Sequence, residues 1–143
     1  MIDSDGHIVH IDFGFMLSNS PGNMSIETAP FKLTREFLEV MDSNAEGKPS
    51  ELFDYFKVLC IQGFLAVRRH TERILVVVEC MRDAGFPCLR GGAKSIEALR
   101  QRFQLGQTEE KSIQFVLQLI SESMDSWRSR QYDYYQRVLN GIL

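Results

Sequence analysis

The sequence predicts an α+β fold that is mostly helical, with its sheet confined to the N-terminal end. Three observations lead there. His7-Ile8-Val9-His10-Ile11-Asp12 alternates apolar and polar side chains behind the turn formers Asp3-Ser4-Asp5-Gly6. Beyond Thr34, apolar residues recur at spacings of three and four, in segments opened by Ser or Thr and closed by Gly or Pro. The composition, 44% hydrophobic and 24% charged over 143 residues, suits one soluble globular domain with a modest core.

Met1-Ile2, the turn and His7–Ile11 together predict a β-hairpin, with Gly6 available for a positive φ. On its second strand His7, Val9 and Ile11 share one face, and Ile8, His10 and Asp12 the other. Asp12 leaves the ladder at its end, Phe13 can anchor the turn in apolar surroundings, and Gly14 permits a sharp change of direction. A carboxylate carried there is suited to holding a metal ion against a phosphate. Asp-Phe-Gly is also a frequent chance tripeptide, and His7 and His10 read equally well as hydrogen-bonded strand residues. The hairpin opens on an apolar pair without any lead-in, as an internal position of a longer protein would.

From Phe15 to Ala29 periodicity is lost, and Ser18-Asn19-Ser20-Pro21-Gly22-Asn23 is a cluster of turn formers. A structureless stretch of about 15 residues in a compact domain is either a lid or binding segment or a plain surface connection. No Lys or Arg occurs between Phe15 and Pro30.

Thr34 is placed to cap a helix over Arg35–Met41, and 42–49 is a polar linker expected to be exposed. Ser50 caps a long core helix from Glu51 whose stripe runs through Phe53, Phe56, Leu59, Cys60, Gly63, Phe64 and Val67. A break near Arg68-Arg69-His70 lets Thr71 cap a helix over Glu72–Asp83, closed by Gly85 and Pro87. The run Ile74–Val78 is apolar on several faces, which predicts a central position for this helix, with sheet the weaker alternative. Arg68, Arg69 and His70 suit either a phosphate or a solvated helix end, where basic residues favour the dipole.

Gly91-Gly92 matches no phosphate-loop pattern. Ser95 opens a helix through Phe103, with Arg100 and Arg102 able to cover its flank. Thr108-Glu109-Glu110 opens an amphipathic helix with Ile113, Val116, Leu117, Ile120 and Met124 on its stripe. The segment 127–143 mixes Trp127, three tyrosines and three arginines with an apolar tail. Such a segment suits a lipid headgroup boundary or docking on its own domain.

Charge and cysteine content exclude several classes. The net charge is -3, with eight acidic and three basic side chains in residues 1–50 and eleven and thirteen beyond, so nucleic acid is not an expected partner. Cys60, Cys80 and Cys88 are odd in number and lack C-x-x-C spacing, which argues against a disulfide framework or a zinc site. No apolar run approaches the roughly 20 residues that span a bilayer, so membrane contact is expected to be peripheral.

Gly6-His7-Ile8-Val9-His10-Ile11-Asp12-Phe13-Gly14, followed by Ala29-Pro30-Phe31-Lys32-Leu33-Thr34, closely resembles the phosphatidylinositol kinase superfamily, where H-I-D-F-G precedes an activation loop and P-F-x-L-T. The F-x-L-S-N-S-P-G loop, G-F-P-C-x-x-G-G at 85–92, the helix start at 105–110 and the terminal N-G-I-L resemble the type III phosphatidylinositol 4-kinases of the beta subtype. Residues 42–47 and 130–135 are most similar to plant and algal members. The resemblance covers essentially the whole chain.

It implies a partial C-lobe of the protein-kinase-like (PI3/PI4-kinase) fold. Residues 1–14 would be the hairpin and metal-binding motif, 15–33 the activation loop and 34–143 the helical C-lobe. The family's catalytic loop, general base, ATP lysine and N-lobe would precede Met1, so this segment alone should not catalyse. Asp12 would bind magnesium, or manganese, on the ATP phosphates, with Phe13 and Gly14 positioning it. Ile11 and Met1 would pack against adenine, and His10 would be a structural hydrogen-bonding residue. Phe15, Ser18, Asn19, Ser20, Pro21 and Lys32 belong to the loop that reads the inositol headgroup. Because extra phosphates call for cations and the first here is Lys32, the loop favours unphosphorylated phosphatidylinositol.

The implied product is phosphatidylinositol 4-phosphate. The implied setting is cytoplasmic and peripheral at Golgi and trans-Golgi membranes, with a small GTPase and recruitment proteins engaging other regions. Two alternatives stand beside it: a superfamily kinase acting on protein, and a noncatalytic helical module that docks on membrane or a GTPase.

Overall fold

The computed structural model describes residues 3–11, 13, 16, 17, 19, 29–124, 134, 137 and 138. Within residues 29–124 five α-helices follow one another: α1 (Arg35–Val40), α2 (Glu51–Arg69), α3 (Thr71–Cys80), α4 (Ala93–Arg102) and α5 (Glu109–Ser123), with a 3₁₀ turn at Pro87–Leu89 before α4. They pack as two pairs, α2 on α5 and α3 on α4.

The expected mostly helical lobe is what forms, and among the described residues β structure is limited to isolated bridges. The hairpin turn is present: the Asp3 N–H donates to the His7 carbonyl at 3.0 Å, and Gly6 takes φ +85°. Met1 and Ile2 lie outside the described residues, and Ile8 carries a single bridge. A second β contact, unexpected, pairs Leu33 in parallel with Met124 at the end of α5.

Capping residues act largely as their types require. The Ser50 Oγ accepts from the Phe53 N–H at 2.9 Å and donates to the Met41 carbonyl, fixing the end of α1 to the start of α2. Thr108 caps α5 through the Lys111 N–H at 3.4 Å. Thr34 stands at the start of α1 without a side-chain cap bond. Thr71 does not cap: its buried hydroxyl donates back to the Arg68 carbonyl at 2.8 Å, so α3 begins one residue earlier than expected and ends at Cys80. The 42–49 linker is not wholly exposed either. Ser43 is buried and donates to the Lys48 carbonyl at 2.7 Å.

Two apolar clusters result. Leu33, Leu38, Phe53, Val116 and Ile120 form the first, flanked by Phe56, Cys60 and Phe64 of α2. Phe64 meets Phe115 with ring centroids 5.8 Å apart. Leu75, Ile96, Leu99 and Phe103 form the second, with Leu17, Ile74 and Val78 against it. α3 is therefore not central. Val76 and Val77 are each 61% exposed, because α4 meets only the Leu75 side of the helix and a turn of 100° per residue carries these two away from it. Leu59 and Val67, expected on the core stripe of α2, are also exposed.

Arg68 answers neither sequence expectation for the basic cluster. Its Nη2 donates to the carbonyls of Gln104 at 3.2 Å, Leu105 at 3.3 Å and Gln107, where the chain turns from α4 into α5 through a left-handed Gln104 (φ +53°). One terminal nitrogen, with two N–H groups, is thus shared among three carbonyls of the turn, while the buried Nε finds no partner among the described residues. Charge-assisted bonds of this kind contribute about 1.5–3 kcal/mol. Arg68→Ala is accordingly expected to raise hydrogen exchange in peptides covering 103–108 by at least about tenfold, with little change in the first half of α2. Exchange unchanged across 103–108 would show that the turn holds without the guanidinium.

Candidate functional site

The Asp3–His7 turn is built around one carboxylate. The Asp3 Oδ1 accepts from the backbone N–H of Asp5 at 3.0 Å and of His7 at 2.8 Å, and its Oδ2 pairs with the His7 Nδ1 at 3.1 Å. The His7 amide is the main reason that the Asp3 carboxyl lies below the ordinary aspartate range, with desolvation opposing it. The sequence reading credited the turn to Gly6. The D-x-D-G pattern, in which a leading Asp bonds the backbone two residues on, was the available signal for Asp3.

Beyond the turn, both faces of the alternating run are open. Ile8, Val9, His10 and Ile11 are exposed, Ile11 to 54%, so the position implied for adenine contact is accessible. Asp12 and Gly14 lie outside the described residues, as do Met1, Phe15, Ser18, Ser20 and Pro21. Phe13 is described, and it forms, with Met16 and Leu17, one wall of an apolar cavity of about 190 Å³. The other wall is Val78 and Met81 at the end of α3 together with residues 86–89. Phe13 lines this cavity but stays 65% exposed, so it is not buried in the apolar anchor expected of it.

The start of segment 15–33 is fastened to the second helix pair. Leu17 packs against the Leu75, Ile96, Leu99 and Phe103 cluster, and its carbonyl accepts from the Arg102 Nη1 at 3.5 Å. The Asn19 N–H closes a turn on the Met16 carbonyl at 2.9 Å. Leu17 holds φ +52°, a left-handed conformation that costs a leucine about 1–2 kcal/mol.

The end of the segment is fastened to the first pair. The Phe31 N–H donates to the Ser123 Oγ at 3.2 Å, across 92 residues of sequence, and Leu33 is buried beside α5. Lys32 projects between these two fixed residues and is exposed. The carboxyl of Glu36 lies below its ordinary range chiefly through the Thr34 hydroxyl, and Lys32 adds a smaller favourable charge. Among the described residues no group of three His, Cys, Asp or Glu side chains could by itself hold a metal ion.

The family described as phosphatidylinositol 3- and 4-kinase matches residues 1–91, from the turn through the 86–89 wall of the cavity. The chain belongs to the phosphatidylinositol 3- and 4-kinase family. Its helices α4 and α5 lie beyond that match but within the similarity to individual relatives. Phosphatidylinositol 4-kinase beta 1 of Arabidopsis thaliana is 67% identical over 143 residues, which is all of this chain and 13% of that protein. Phosphatidylinositol 4-kinase beta 2 of the same plant is 68% identical over 142 residues, 99% of this chain and 13% of that protein. Phosphatidylinositol 4-kinase of Dictyostelium discoideum is 48% identical over 143 residues, covering 99% of this chain and 12% of that protein. The chain thus spans about an eighth of the length of these relatives.

In this member of the family the Asp3 turn precedes the His-Ile-Asp-Phe-Gly motif and gives it a fixed starting point. A carboxyl held below its ordinary range stabilises the turn at higher pH and loses that contribution as pH falls through the lowered value. The amides of Asp5 and His7 should stay protected through the ordinary aspartate range and lose protection only below it, when followed by exchange-sensitive NMR. Asp3→Ala should raise their exchange by about tenfold at neutral pH. Equal exchange in the variant would remove Asp3 as the organiser of the turn.

Proposed function

We propose that this segment is the C-terminal part, residues 1–143, of a lipid-kinase catalytic domain that transfers the γ-phosphoryl group of ATP to the 4-hydroxyl of phosphatidylinositol. The observation that carries the proposal is its similarity, over its whole length, to relatives named phosphatidylinositol 4-kinase beta, 67% in the first. In that domain the hairpin and motif occupy 1–14, the activation loop 15–33 and the helical C-lobe 34–143. The general base and the ATP lysine would come from other parts of the complete protein, so this segment would be inactive by itself.

The donor chemistry suits magnesium. Asp12 offers a hard carboxylate oxygen immediately after Ile11, and a magnesium site commonly takes one or two carboxylates, with phosphate oxygens and water for the rest. When bound, the ion neutralises charge on the phosphates as the γ-phosphoryl moves in line to the acceptor oxygen. Manganese, with the same oxygen ligands, would serve there too. Phe13, on the cavity wall, and Gly14 would orient the Asp12 carboxylate, while Ile11 and Met1 would offer apolar surface to adenine. His10 would hydrogen-bond within the motif without moving a proton of the reaction.

Phe15, Ser18, Asn19, Ser20 and Pro21 would form the headgroup-reading part of the loop. Between Phe15 and Pro30 there is no cation, and Lys32 is the first beyond. A headgroup that already carries ring phosphates would find little compensation there, which supports phosphatidylinositol itself as acceptor. Contact with the bilayer would be peripheral, at Golgi and trans-Golgi membranes, and a small GTPase and recruitment proteins would act through other regions. No helix among the described residues is long and apolar enough to cross a membrane. Of segment 127–143, only Tyr134, Arg137 and Val138 are described; they are helical and exposed.

The complete protein, supplied with phosphatidylinositol and with its phosphates, should prefer the unphosphorylated lipid and yield the 4-phosphate on chromatographic analysis of the headgroup. A 3-phosphate product, or preference for a bisphosphate, would sink the assignment. Asp12→Asn should lower turnover by at least about a thousandfold while leaving the melting temperature close to that of the parent. Removal of residues 127–143 should weaken sedimentation with phosphatidylinositol-containing vesicles more than ATP binding. Equal sedimentation would end the case for membrane contact by that segment.

A further inference from the structure

Among the described residues of segment 15–33, Leu17 is the one placed against the second apolar cluster, where it meets side chains of α3 and α4. Its backbone is left-handed, a conformation that a leucine keeps only where its surroundings over-determine it. Three contacts do so here. The side chain packs against a cluster of four buried residues, the carbonyl accepts from Arg102 in the last turn of α4, and the Asn19 N–H closes the turn onto Met16. The Arg102 stem also flanks Leu17 in a shallow groove with Ser95, Ala98 and Leu99.

The neighbours of Leu17 in sequence are the functional ones. It lies three residues after Gly14 and shares a cavity wall with Phe13. The opposite wall is the end of α3, from the same helix pair that holds Leu17. Leu17 and Phe13 thus line one cavity together with the end of α3. The far end of the segment is fixed elsewhere, through Phe31 and Leu33 on α5.

We propose that Leu17 and Arg102 anchor the start of the activation loop to the α3–α4 pair, making Leu17 a positioning residue that sets the placement of the Asp-Phe-Gly motif. This rests on the kinase function proposed above. Leu17 is assigned no contact with nucleotide or lipid in this proposal. Its effect passes through Phe13 to the residues of the motif, so it bears on turnover more than on ATP affinity.

The test uses the complete protein carrying Leu17→Ala, Leu17→Met, Arg102→Gln and the Leu17→Ala/Arg102→Gln pair. Leu17→Ala should lower kcat with phosphatidylinositol about tenfold and leave the KM for ATP within about twofold, as expected when an interaction outside the ATP site is lost. Leu17→Met, which keeps an apolar side chain of similar size, should restore most of kcat. The pair should fall well short of the product of the single effects, because both remove the same attachment. Hydrogen exchange in peptides covering 13–19 should rise in Leu17→Ala and Arg102→Gln and stay near the parent level in Leu17→Met.

Parent-like kcat or parent-like exchange in Leu17→Ala overturns the anchor. So does an equal loss in Leu17→Ala and Leu17→Met that follows a drop in melting temperature, since that is general destabilisation. A complete parent protein that phosphorylates no lipid overturns the kinase function and the positioning role with it, and the parent assay distinguishes that failure from failure of the anchor alone.

Discussion

Leu33 enters a cluster with Leu38, Phe53, Val116 and Ile120, and this burial ties three distant stretches of chain together. Fully burying aliphatic or aromatic side chains contributes about 1.5–3 kcal/mol each, so five such residues outweigh any polar contact in the molecule. The pairing of α2 with α5 depends on it, and so does the position of Phe31, Lys32 and Leu33 at the end of the loop. A single hydrogen bond from the Phe31 amide to Ser123 and a single β-bridge then fix the direction of the backbone. Lys32, exposed, is carried between the two fixed residues, Phe31 and Leu33.

The second pair works at the other end of the same loop with less buried surface. Leu75, Ile96, Leu99 and Phe103 make a smaller cluster, supported by the Arg100–Glu72 ion pair at 2.7 Å between α4 and the first turn of α3. That pair is solvent-exposed and adds orientation more than stability. Arg68 connects the two halves, since it starts from the last turn of α2 and grips the turn between α4 and α5. The described ends of the loop thus rest on different helix pairs, Leu17 on α3 and α4 and Phe31 to Leu33 on α5.

How much of this was legible follows from the range of each interaction. Ser50 and Thr108 were readable because capping needs only residues three apart. The amphipathic stripe of α5 was readable because its partner covers one face, the case in which period alone predicts burial. Thr71 misled because its hydroxyl bonds backwards to α2, a choice made by the near-continuity of two helices. Val76 and Val77 misled because an apolar run says nothing about how many faces will find partners. The purpose of Arg68 depends on carbonyls 36 to 39 residues away, and that of Leu17 on a side chain 85 residues away. Local pattern has no access to either. The motif at 6–14 was legible as a family signature, whereas the part that the Asp3 carboxylate plays in the turn before it depends on amides two and four residues on.

The distribution of cations bears on what the loop can recognise. Arg68 is committed to backbone carbonyls, Arg100 to Glu72, Arg82 to Glu79 and Asp83, and Arg35 to Glu39. Lys48 and Lys57 meet Asp42 and Asp54. Arg102 directs its guanidinium to the Leu17 carbonyl, so the arginine nearest the start of the loop serves its backbone. A phosphorylated headgroup would have to draw such groups away from partners they already hold. An inositol ring without phosphates asks instead for uncharged donors and acceptors, a role that the proposed function gives to Ser18, Asn19 and Ser20, in a stretch free of Lys and Arg. The proposed substrate preference thus rests on the composition of the loop, with the nearby Arg102 already directed to its backbone.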